Sequence, residues 1–145
     1  MLKSTKDLDS GIYRDALAIR RKVFMEEQEV SEALEIDEDE GSCLHLVWYE
    51  GDKALCTARL LPRTEGLVKI QRVAVLKEAR GLGLGAKIMR EAEALAREMG
   101  AKRLKLGAQN HAIAFYEKLG FSVCSEEYLD AGILHHDMEK DLSHG

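Results

Sequence analysis

Arg80-Gly81-Leu82-Gly83-Leu84-Gly85 lies between two stretches of different period. Upstream, residues 67–76 read as a strand. Downstream, Ile88, Met89, Ala92, Leu95, Ala96 and Met99 recur at spacings of three and four, the mark of one apolar helix face, and Gly100 supplies a stop. Three alternating glycines at a strand-to-helix junction let the backbone turn tightly and point N–H groups outward. The helix start adds free amides and the positive end of a dipole. Such a nest binds phosphate or pyrophosphate, with Arg80 and Lys87 as flanking charges.

Two other glycine motifs fit less well. A Walker A loop needs G-x-x-x-x-G-K-[ST], which the chain lacks. Gly81, Gly83 and Ala86 satisfy the dinucleotide fingerprint formally. Yet three strands precede them, four residues separate them from the last strand, and no ribose-binding acid follows about 20 residues on. A phosphate-binding turn is what the chemistry of the stretch supports.

Moving outward, residues 44–49 and 54–61 pair as a hairpin around Glu50-Gly51-Asp52-Lys53, Pro62 ends the second strand, and 67–76 extends a meander. Residues 2–6 form a first strand, and 10–27 a helix striped by Tyr13, Ala16, Leu17, Arg20, Val23 and Phe24. A short helix is expected around 31–35. Beyond the glycines come a strand at 103–108, a helix at 110–119 ended by Gly120, and strands at 121–125 and 135–140. The order β-α-α-β-β-β-α-β-α-β-β predicts one α/β (α+β) domain over 1–145, with a mainly antiparallel sheet of six to seven strands flanked by about four helices.

Composition narrows the function. The 145 residues carry 21 basic and 26 acidic side chains, a net charge of -5, which argues against non-specific nucleic-acid binding. Cys43, Cys56 and Cys124 are odd in number and lack C-x-x-C spacing, so no disulfide framework or thiolate metal site is expected. The five histidines lack metal-site spacing. No apolar run reaches the roughly 20 residues of a membrane span, and no signal peptide is visible, so a cytoplasmic protein is expected.

With the glycine turn in this setting, the chain resembles the GNAT superfamily of acyl-CoA N-acyltransferases. Two blocks carry the likeness. One runs from Val73-Ala74-Val75-Leu76 to Arg80-Gly81-Leu82-Gly83-Leu84-Gly85-Ala86. The other is Asn110-His111-Ala112-Ile113-Ala114-Phe115-Tyr116-Glu117-Lys118-Leu119-Gly120-Phe121. The resemblance implies a GNAT-like sheet and acetyl-CoA, or coenzyme A, as the cofactor. It implies that the amides from Leu82 to Ala86 take the pyrophosphate and that Val73, Ala74 and Val75 pair with the pantetheine arm. Asn110 would touch that arm, Phe115 would pack beneath it, and Tyr116 would protonate the departing thiolate. Homodimers are common in that family.

The N-terminal half resembles a narrower group of bacterial GNAT proteins through Arg20-x-x-Val23-Phe24-x-x-Glu27-Gln28, Glu35-x-Asp37-x-x-Glu40, His45-Leu46-Val47, Arg59-Leu60-x-Pro62 and Arg72-Val73.

The expected reaction is direct transfer of an acetyl group to an amine, which must be neutral to attack. Base candidates are Glu27, Glu35, Asp37 and His45, each with a structural alternative. The carboxylates could be solvated, cap a turn or pair with arginines, and His45 could be a core histidine. Arg20, Phe24, Glu27 and Arg72 are the candidate acceptor contacts. Arg20, Arg59 and Arg72 need carboxylate partners, for which Glu27, Glu35 and Asp37 are available, or they hold a substrate carboxylate. Nine carboxylates between Glu26 and Glu40, with no basic residue among them, suggest an acceptor wall favouring a cationic amine. The acceptor itself, peptide or small molecule, stays open. A non-catalytic acyl-CoA sensor and a nucleotide- or phosphate-binding regulatory domain are the rival readings.

Overall fold

The computed structural model describes residues 1–31 and 36–143. Strand β1 (Leu2–Thr5) leads to helix α1 (Gly11–Arg20), which Ser10 caps by accepting from the Ile12 amide at 3.1 Å. The predicted helix over 10–27 is present, but its last part, Arg21–Glu27, widens into π-helix. Such widening shifts the side-chain phase. Here it sends Val23, Phe24 and Glu27 toward the cleft described below. The short helix expected at 31–35 lies almost wholly outside the described residues.

A 3-10 turn (Glu40–Ser42) precedes β2 (Leu44–Glu50), β3 (Lys53–Pro62) and β4 (Leu67–Val75), each antiparallel to the one before. Helix α2 (Leu84–Glu98), β5 (Arg103–Gln109), a 3-10 turn (Asn110–Ala112) and helix α3 (Ile113–Lys118) follow. The chain closes with β6 (Ser122–Val123), β7 (Tyr128–Asp130) and β8 (Ile133–Asp141).

The sheet has eight strands in the order β1-β2-β3-β4-β5-β8-β6, with β7 also on β8, one more than the largest number expected. The strand missed in the sequence is β7. It is three residues long and turns through Ala131 and Gly132, both at positive φ, a tight hairpin geometry that no Asn-Gly signal announced. The strand expected at 121–125 shrinks to two residues.

α1 and α2 both pack on β2, β3 and β4. One apolar core includes Leu46, Leu60, Ile70, Ile88, Leu104 and Met138, all essentially inaccessible.

One irregularity positions the site. β4 pairs with β5 in parallel at Leu67, Val68 and Lys69 alone, opposite Arg103, Leu104 and Lys105. On its other edge, β4 carries a bulge where Arg72 takes φ 55° and the register with β3 shifts. Past these points β4 and β5 part, and a cleft opens between them.

Candidate active site

The cleft has a volume of about 930 Å³ and is lined from both faces of the parted strands. Its walls are β4 from Lys69 to Val75, β5 from Lys105, the π-helical segment, the glycine turn, α3 and the β7–β8 hairpin.

The turn has the geometry its glycines predict. Gly81 and Gly83 adopt φ 85° and 75°, conformations that side chains with a Cβ rarely adopt. Gly83 sits immediately before α2, and no side chain caps the helix. The first intrahelical bond is Lys87 N–H to Gly83 C=O, so the first-turn amides of Leu84, Gly85 and Ala86 have no intrahelical acceptor. Gly85 serves a different need. A Cβ there would stand 3.2 Å from Phe115 Cζ, so the glycine lets Phe115 pack against the helix start beside Val75. Uncapped amides, a positive dipole end and a backbone free of side chains fit a pyrophosphate. Leu82 itself is exposed and does not line the cleft.

Of the two flanking cations, Arg80 belongs to the site. Its Nη2 donates to both carboxylate oxygens of Glu27 at 3.0 Å, and its Nε donates to the Val75 carbonyl at 3.1 Å. Lys87 instead places its Nζ 5.7 Å from the centre of the Trp48 ring, outside the cleft.

Tyr116 lines the cleft from α3, edge-on to Phe115 and Phe121 at 5.0 and 6.0 Å between ring centres. Burial, with the nearby Cys56 adding to it, pushes its hydroxyl up to about 12. It therefore keeps its proton throughout the neutral range. Val73, Ala74 and Val75 form the β4 wall. Asn110 does not line the cleft: its amide donates to Glu127 at 2.7 Å and its Oδ1 faces His136 Nδ1 at 2.8 Å.

The acceptor candidates divide. Phe24, Glu27 and Arg72 line the cleft. Arg20 does not. It is buried at 1% exposure and donates to Glu40 at 2.7 Å. Arg59, equally buried, donates to Glu40, to both oxygens of Asp37 at 2.9 Å, and to Gln71 Oε1 from Nε at 3.0 Å and Nη2 at 2.8 Å. Arg72 reaches Asp37 at 3.2 Å, and the Tyr13 hydroxyl donates to Glu40 at 2.7 Å.

Burial would raise both carboxylates. The opposing effect of Arg59 on Asp37, and of Arg20, Tyr13 and Arg59 on Glu40, holds both below the ordinary range. Glu40, which the sequence reading did not offer the arginines as a partner, is the hub. The signal was available: in a run of carboxylates, it is the one adjoining the apolar strand β2.

His45 is likewise a core residue. At 1% exposure, it donates from Nε2 to the Glu40 carbonyl at 2.9 Å and meets the Tyr13 ring edge-on. Burial lowers its basicity, and it does not line the cleft. Asp37 is held by two arginines, and Glu35 lies outside the described residues. Asp37 and Glu40 thus do not form the anticipated acidic wall.

Other cleft residues escaped notice. Lys69, Gln71 and Lys105 rise from the parted strands, and Tyr128 donates to Asp137 at 2.6 Å across Gly107. Gln28 and Gln109 exchange amide hydrogen bonds of 3.3 and 2.8 Å between the π-helical arm and β5. The alternation of Lys69 and Gln71 with buried Val68 and Ile70 was the readable signal. Among the described residues no metal-ligating cluster occurs, and no helix is long and apolar enough to cross a membrane.

Comparison with known proteins agrees with this geometry. The sequence profile of the acetyltransferase (GNAT) domain matches residues 9–142. The chain is 43% identical over 129 residues to the uncharacterized N-acetyltransferase YjcF of Bacillus subtilis, covering 88% of this chain and 91% of that one. The crystal structure of an acyl-CoA N-acyltransferase from Pseudomonas aeruginosa superposes with TM-score 0.84 at 30% identity, over 97% of this chain and 99% of the other. Escherichia coli ElaA gives 0.85 at 29% identity with the same coverages. An uncapped helix start after a glycine turn, a cleft between parted strands and a profile match along nearly the whole length converge: the chain belongs to the GNAT family and is an acetyl-CoA-dependent acetyltransferase.

Proposed function

We propose that the protein joins acetyl-CoA and a primary amine in one cleft and transfers the acetyl group by direct attack, with Tyr116 as the general acid. The observation that carries this reading is the uncapped start of α2 at one end of a cleft whose wall contains the Tyr116 side chain.

In this reading Leu84, Gly85 and Ala86 hold the pyrophosphate through their amides, with Gly81 and Gly83 shaping the approach. Phe115 supports the donor from below. The β4 edge from Val73 to Val75 aligns the pantetheine arm, and its N–H groups stabilise the oxyanion. Acetyl-CoA supplies the thioester carbon that the amine attacks. Tyr116, protonated at neutral pH, gives its proton to the departing sulfur. Glu27 is the one base candidate among the described residues that lines the cleft, so it is assigned the proton leaving the amine, directly or through water.

The test is thiol release from acetyl-CoA with a panel of primary amines. Amine-dependent release with matching N-acetyl product supports the reading. Tight coenzyme A binding without release from any amine would leave a sensor in its place. Preference for a nucleotide lacking pantetheine would favour the regulatory alternative.

A further inference from the structure

Lys69 and Lys105 stand directly opposite each other on neighbouring parallel strands, in the last register pair before β4 and β5 separate. Register partners project to the same face, and like charges in that relation repel. Both side chains are half-buried and line the cleft. Lys105 has Asp137 at 3.9 Å, but that carboxylate also accepts the Tyr128 hydroxyl at 2.6 Å. Among the described residues the Lys69 side chain has no ion pair or hydrogen bond.

Gln71, two residues along β4 and therefore on the same face as Lys69, completes the group. Its Oε1 is occupied by Nε and Nη2 of buried Arg59. That contact fixes which way the amide points and leaves its NH2 as the group available to a ligand. Other cleft cations are matched: Arg80 by Glu27, and Arg72 by Asp37. The facing carboxylates are Asp137, already shared, and exposed Asp130 on the hairpin rim. Among the described residues, the closed end of the cleft therefore presents two ammonium groups and an oriented amide donor against one shared carboxylate.

We propose that Lys69, Gln71 and Lys105 form an anion subsite that holds a carboxylate of the amine acceptor, so that the substrate is an amino acid or similar anionic amine rather than a polyamine. This rests on the transferase reading above. Lys69 and Val73 lie four residues apart, a span shorter than the roughly 13 Å of an extended strand because the bulge at Arg72 falls within it. A lysine stem covers part of that span, which suits an acceptor whose amine and carboxylate are several bonds apart.

The test uses matched acceptors of three to six carbons: ω-amino carboxylates, the corresponding alkylamines and the corresponding diamines, each with acetyl-CoA. It compares the natural protein with Lys69→Met, Lys105→Met and the double variant. Methionine keeps an aliphatic stem, and removing the repulsion should leave the melting temperature equal or higher. The expected result is a kcat/KM for the carboxylates about tenfold above both other series, falling to within about twofold in the double variant. A diamine or alkylamine turned over as well as the carboxylate would overturn the proposal, as would an advantage that survives both substitutions.

A second measurement is independent of turnover: calorimetric binding of glutarate to the protein saturated with coenzyme A. Binding weakened about tenfold by the double substitution supports the subsite, and unchanged or undetectable binding in the natural protein overturns it. Glutarate held by the lysines, with no thiol released from any amine, would instead defeat the transferase reading and leave the anion subsite standing.

Discussion

Two polar regions flank the parted strands, and they treat charge in opposite ways. Beneath α1, Arg20, Arg59, Asp37 and Glu40 meet one another and Tyr13 in a network from which water is largely excluded. In the cleft, the α2 amides lack a cap and two lysines face each other across a strand pair. Matched charges at this burial hold the protein's own elements together, whereas unmatched donors beside an open cleft suit an anionic ligand. The contrast explains why an acidic run that reads as a surface for cations supplies Asp37 and Glu40 as internal counterions.

Breaking the matched side should have the largest effect. Glu40→Leu leaves two buried guanidinium groups without their shared partner, so unfolding in urea should show a loss of about 3–5 kcal/mol. A loss under about 1 kcal/mol would mean that the buried network contributes little to holding the elements together.

Next comes the cleft chemistry. Tyr116→Phe should lower kcat about 10²-fold while coenzyme A binds as before. Because the hydroxyl is pushed up to about 12, its ionisation should produce no alkaline loss of rate below about pH 11. An alkaline limb near pH 9 that disappears in Tyr116→Phe would contradict this assignment.

Gly83→Ala forces a Cβ into φ 75°, so coenzyme A affinity should fall about tenfold by calorimetry, with little effect on the buried network. Equal affinity would show that the turn tolerates a side chain and does not shape the phosphate site.

The acid limb of stability sharpens the same contrast. Asp37 and Glu40 ionise below their ordinary values of 3.8 and 4.5 in the folded state. A depressed carboxyl contributes stability that is complete above the unfolded value and lost as pH falls through the folded one. The urea midpoint should therefore begin to drop near pH 4.5 and continue downward, less steeply in Glu40→Gln.

The smallest effect is expected at the half-exposed Arg80–Glu27 pair. Glu27→Gln should change stability by less than about 1 kcal/mol, yet reduce turnover with an amine acceptor. Unchanged turnover would remove Glu27 from the base role.

Local chemistry made much of this readable. The glycines at 81, 83 and 85 stand where strand period gives way to helix period, and a junction of that kind needs no distant contact to be recognised. Tyr116 draws its proposed role from the motif around it, and its side chain lines the cleft wall. Asn110, in the same motif, turned elsewhere because Glu127 and His136, distant in sequence, offer its amide two partners. The β7 strand was missed for a similar reason, since three residues carry too little pattern to outweigh their turn.

By itself, the sequence determined the order of the longer elements, the apolar stripes of α1 and α2, and a glycine turn with free amides, because periodicity and backbone freedom are properties of neighbouring residues. Tertiary structure decided how the carboxylates pair with the arginines. It drew Glu40 rather than Glu27 to Arg20, sealed His45 in the core and set Lys69 against Lys105. Those outcomes depend on strand register and on the bulge at Arg72, which bring together groups tens of residues apart.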